Sequence, residues 1–113
     1  MAFGALYHLS ESLLDKQRSA LHNIHNLMAE MPDVPIELVV QGEAINMAVA
    51  KTSVLAEEIR ELQQNGLLVT VCHHTMLAKK VHESYLLPDK TIVPSAVGRL
   101  VRRQQEKFSY VKP

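Results

Sequence analysis

The chain has 113 residues, 47% of them hydrophobic and only 4% aromatic, which is material for one domain, residues 1–113, with an aliphatic core. Twelve basic residues balance twelve acidic ones, so there is no electrostatic footprint for nucleic acid or for an anionic membrane surface. A single cysteine excludes an internal disulfide and suits a reducing compartment.

The first residues, Met1-Ala2-Phe3-Gly4-Ala5-Leu6-Tyr7, have neither the basic region nor the long apolar run of a signal peptide. No apolar stretch approaches the roughly 18 to 20 residues that span a bilayer. The expectation is a cytoplasmic protein, and a chain without net charge is also expected to self-associate.

Ala2 to Leu9 is short and mostly apolar and reads as a strand. Ser12 with Asp15 resembles a capping box. Behind it Leu13, Leu14, Leu21, Ile24, Leu27, Met28 and Met31 predict a helix to about Met31, broken by Pro32-Asp33-Val34-Pro35. Ile36 to Val40 is a compact strand ended by Gly42, and Ala44 to Ala50 predicts a short apolar helix. Thr52 or Ser53 caps the next helix, with Leu55, Ile59 and Leu62 inward and Asn65-Gly66 as its stop.

Leu67 to Cys72 is apolar on both faces, the pattern of a strand covered on both sides. His73 to Val81 predicts a short helix, Tyr85 to Asp89 a loop and Thr91 to Val93 a brief strand. Pro94-Ser95 opens a last helix with the stripe Val97, Leu100, Val101 and Gln104, which leaves Arg99, Arg102 and Arg103 on a solvated outer face. Phe108 to Val111 is a closing strand. Strands alternating with helices imply a parallel sheet with right-handed crossovers in a three-layer α/β/α sandwich.

In such a sheet ligands bind beyond the carboxyl ends of the strands. That edge collects His8 and Ser10 after the first strand and Gln41-Gly42-Glu43 after the second. It also collects Cys72-His73-His74-Thr75 after the third and Pro94-Ser95 after the fourth. Cys72 is the sharpest of these, since a strand-to-helix turn and two following histidines favour the nucleophilic thiolate. A small buried hydrophobe is the plain alternative. His8, Cys72 and His73 or His74 have ligand chemistry for zinc or copper, but adjacent side chains diverge on a helix, and no metal or other cofactor is expected. His22 and His25, spaced i, i+3 on the first helix, suit an interface or a solvated face better than a metal. Glu43 stands where a general base would, without a partner. There is no phosphate-binding glycine loop and no nucleophile elbow.

The ending Val93-Pro94-Ser95-Ala96-Val97 through Phe108-Ser109-Tyr110-Val111-Lys112-Pro113 resembles that of the DsrE/YchN-like (DsrE/DsrF-like) family. Leu38-Val39-Val40-Gln41-Gly42, Val71-Cys72-His73-His74-Thr75-Met76 and the first helix around Leu21 to Leu27 resemble its corresponding segments, in order. The resemblance implies a largely parallel five-stranded sheet and homotrimers or hexamers. For sulfur-relay members it implies a persulfide carried on the cysteine that Cys72 matches, received from a sulfur donor and passed to an acceptor protein. Cys-His-His-Thr replaces the family's Cys-Gly-Asn-Thr, and Ala96 stands where glycine is usual. The alternative function is a non-catalytic oligomeric binding protein with a ligand pocket at the same edge, near Gly42, Cys72 and Ser95.

Overall fold

The computed structural model of the protein describes residues 3–113. Five strands form one sheet: β1 (Gly4–Leu9), β2 (Ile36–Val40), β3 (Leu68–Cys72), β4 (Thr91–Val93) and β5 (Phe108–Val111). Their order is β4-β3-β2-β1-β5, and every neighbouring pair is parallel. Parallel neighbours require crossovers. Helices α1 (Leu14–Glu30), α2 (Ala56–Gln64), α3 (His73–Lys79) and α4 (Ala96–Gln105) lie in them.

The strand order decides which face each helix covers. The chain steps outward from β1 to β4 and then returns across the sheet to β5, so right-handed crossovers set α4 on the opposite face from α1 and α2. The side-chain period of two separates the cores accordingly. Ala5, Tyr7, Leu9, Ile36, Leu38, Val40 and Val69 pack with Ala20, Leu21 and Ile24 of α1 and Ile59 and Leu62 of α2. Leu6, Val39, Cys72 and Phe108 face Ala96 and Leu100 of α4. The result is the expected three-layer α/β sandwich.

The strand expectations at Ile36–Val40, Thr91–Val93 and Phe108–Val111 match residue for residue. The first strand begins at Gly4, and the Ala2 end of that expectation lies outside the described residues. Four local expectations are corrected. Ser12 does not cap α1: the residue before the helix is Leu13, with no side-chain cap. Buried Gln17 ties that end down instead, donating through Nε2 to the Glu11 carbonyl and to Asn46 Oδ1, each at 2.8 Å. Leu13, Leu14 and Met31 are exposed, so the buried stripe of α1 is shorter than its apolar pattern. The segment expected as a helix from Ala44 is a 3-10 helix, Gly42–Ala48.

The fourth correction concerns α4. Val97 and Val101 are exposed, while Arg99 and Arg103 turn inward onto Glu37 of β2. Glu37 is 1% exposed. A buried carboxylate must be paired and hydrogen-bonded, and this requirement outranks the burial of two valines.

Gly66 ends α2 with φ +108°, where an added Cβ meets nothing within 4 Å. Gly66→Ala should therefore cost only backbone strain, about 1–2 kcal/mol, read as a lower urea midpoint at unchanged slope.

Candidate functional site

Cys72 is the last residue of β3 and the residue that precedes α3. Its side chain points to the α4 face and is 3% exposed. β4 ends at Val93, the register partner of Cys72, so Ser95 and Ala96 border the cleft that holds the sulfur. The Ala96 N–H donates to Cys72 Sγ at 3.3 Å. Burial alone would push the thiol up. Donation from the Thr75 hydroxyl and from the backbone N–H groups of Thr75, Ala96 and His74 outweighs it and holds the thiol below its ordinary value. The first turns of two helices converge on one sulfur.

The Ala96 and Thr75 donors are each held by a further contact. The Ser95 hydroxyl accepts from the Gly98 N–H at 2.9 Å and caps α4, which fixes the turn carrying Ala96. Thr75 Oγ1 accepts from the Gly42 N–H at 2.9 Å, locking the turn after β2 to the start of α3. Gly42 has φ +57°, a left-handed conformation that suits glycine. His73 sits in the helix and is not among the non-glycine residues of positive φ, so its Cβ fits where the family has glycine.

The sulfur lies in a shallow cleft lined by Gln41, His74, Thr75, Ala78, Ser95, Ala96 and Val97. Of the residues expected at this edge, His74, Thr75 and Ser95 therefore border Cys72, with Gly42 one hydrogen bond behind. His73 is exposed beside it. Glu43 is ion-paired with Lys79. Ser10 accepts from Lys112 Nζ at 3.4 Å. His8 forms a separate cluster: Nδ1 lies 2.8 Å from the Tyr110 hydroxyl and Nε2 2.8 Å from Gln41 Oε1. Gln41 Oε1 can only accept, so His8 Nε2–H donates to it. No group of three histidine, cysteine or acidic side chains suited to a metal ion occurs among the described residues. His22 and His25 line a groove with Glu58 and Glu61 of α2, on the other face of the sheet from Cys72.

Gln41, collected at this edge from the sequence, borders the cleft, whereas Ala96, which acts through its backbone, is the residue that sequence patterning missed. A main-chain donor carries no side-chain signature. Its only trace in the sequence is Ser95 as a helix cap.

No helix among the described residues is long and apolar enough to cross a membrane. No curated protein matches the chain. The chain is similar in structure to a protein of unknown function, MTH1491, from Methanobacterium thermoautotrophicum. That match has TM-score 0.93 at 29% identity and covers 98% of this chain and 99% of the other. It also shares its fold with the ychN protein of E. coli, at TM-score 0.81 and 8% identity over 100% and 99% of the two chains. The sequence matches the DsrE/DsrF-like family over residues 7–113, and the chain belongs to that family.

Proposed function

We propose that the protein is a sulfur carrier, with Cys72 holding the transferred sulfur as a persulfide. The observation that supports this most directly is the Ala96 N–H donating to the Cys72 sulfur at 3.3 Å, at a strand end where the thiol is held below its ordinary value. Such donors stabilise the thiolate, and the thiolate is both the nucleophile that takes a sulfur and the leaving group that releases it.

The exchange is balanced without an external oxidant. The Cys72 thiolate attacks the outer sulfur of a donor persulfide; the donor's S–S bond breaks and the donor departs as a thiolate. An acceptor thiolate later attacks the same outer sulfur, and Cys72 leaves as the thiolate. One cysteine suffices, whereas a dithiol oxidoreductase needs two.

The test is intact-mass alkylation of the native protein across pH, with and without a low-molecular-weight persulfide. The expected result is a titration midpoint below the ordinary thiol value of about 8.5 and a gain of one sulfur atom, absent in Cys72→Ser. A native Cys72 that resists alkylation at neutral pH overturns the carrier and leaves the second reading, an oligomeric binding protein using the same cleft.

The proposal extends to self-association as a trimer or hexamer in the cytoplasm. Exposed Val97 and Val101 on α4 and Leu77 on α3 offer apolar surface for it. Light scattering should give a mass of three or six chains, and a monomer at micromolar concentration would refute it.

A further inference from the structure

The buried pair of β2 and α4 has no part in the exchange just described, yet it bears on Cys72. Glu37 Oε2 accepts from Arg99 Nε at 2.8 Å and Oε1 from Arg99 Nη2 at 3.1 Å and from Arg103 Nε at 2.7 Å. Thr70 of β3 donates its hydroxyl to Oε2 at 2.9 Å. Arg103 also pairs with Glu106 at 2.9 Å and lies over the Phe108 ring, 4.6 Å from its centroid. One carboxylate thus ties β2, β3, α4 and, through Arg103, β5.

Arg99 is one turn and Arg103 two turns beyond Ala96, about 4.5 and 10.5 Å along the helix. Between the clamp and the sulfur the helix rests on Val39 and Leu6 through Ala96 and Leu100. Its opposite flank, with Val97 and Val101, is exposed, so the side that faces the sheet carries the clamp and the apolar contacts. A hydrogen bond to sulfur weakens steeply with displacement and angle, so the Ala96 donor needs a helix that does not slide.

We propose that Glu37, through Arg99 and Arg103, is a positioning residue for Cys72: the clamp holds the start of α4 where the Ala96 N–H meets the sulfur. The inference rests on the carrier reading, since it assigns Glu37 a part in keeping the thiol reactive. The direction of the effect separates positioning from charge. By its field alone, losing the Glu37 carboxylate would favour the thiolate, because a negative charge goes and two guanidinium groups remain. Loss of position acts the opposite way. Other charge near the sulfur comes from His73 and His74 on α3, and neither is touched by a change at Glu37.

The experiment is the alkylation pH profile of Glu37→Gln beside the wild type, with thermal unfolding recorded for each. The expected result is an alkylation midpoint shifted upward and a rate about threefold lower at pH values below both midpoints. Arg99→Lys, which keeps the positive charge but loses the two-point contact with Glu37, should shift the midpoint the same way by less, and serves if Glu37→Gln does not fold. An unchanged or lowered midpoint in folded variants overturns the positioning role even where the melting temperature falls. Persulfide loading of the wild type is scored separately: its absence defeats the carrier reading, whereas loading with an unmoved midpoint defeats only the inference about Glu37.

Discussion

Replacing Arg99 and Arg103 together by alanine should lower the unfolding free energy by about 3–5 kcal/mol, because it leaves a buried carboxylate with no counter-charge. Both guanidinium groups contact Glu37, and only the Thr70 hydroxyl would remain. In the intact protein, burial alone would raise the Glu37 carboxyl. Hydrogen bonds from Arg99, Arg103 and Thr70, with the Arg99 charge, pull it below the usual carboxylate range. A group whose folded value is lowered contributes stability above its unfolded value, about 4.3, and loses that contribution as pH falls through the folded value.

Without the arginines the sign reverses. Burial then dominates, the carboxyl is raised, and the folded state is penalised as pH rises through the raised value. Urea unfolding of the double variant against a triple variant that also carries Glu37→Leu isolates this one group. The double variant should fall behind the triple one as pH increases from 4 to 8. A loss below about 1 kcal/mol at neutral pH, or a difference independent of pH, would mean that the clamp contributes little.

The same clamp marks where the sequence stops being legible. The strands were readable because apolar residues of β2 and β3 form runs that only a doubly covered sheet accommodates, and Gly42 and Gly66 punctuate them. The helix α4 and its Ser95 cap were readable too, but its buried face was not. Val97, Leu100, Val101 and Gln104 fall at helical spacing, and in isolation that spacing outvotes three arginines. Arg99 and Arg103 turn inward because Glu37 is buried across from them, a pairing 62 and 66 residues distant in sequence. No local pattern reports a contact of that range.

Cys72 at a strand end was legible for the complementary reason, since strand–helix alternation alone puts it at the carboxyl edge. The donors around it were only half visible. Thr75 has a side chain to notice and Ser95 marks the cap of α4, whereas the Ala96 and His74 donors are main chain, placed by topology rather than by residue type. Of the edge residues, Glu43 and Ser10 face lysines, Lys79 and Lys112, that neither spacing nor composition brings near them.

Thr75→Val should slow alkylation of Cys72 about tenfold at pH values below both midpoints, moving the midpoint up by about one pH unit. Thr75 is buried at the first turn of α3 and its hydroxyl has two tasks. It lowers the Cys72 thiol, and its oxygen accepts from the Gly42 N–H at 2.9 Å. Valine keeps the shape and removes both. The orphaned Gly42 N–H adds a stability loss of about 1–3 kcal/mol. Thr75→Ser restores the hydroxyl without the methyl group and should recover most of the alkylation rate, which separates the hydroxyl from packing. Stability lost in Thr75→Val with an unmoved alkylation profile would assign the hydroxyl to the Gly42 turn alone. The thiolate would then rest on main-chain donors, and its dependence on the position of α4 would be correspondingly greater.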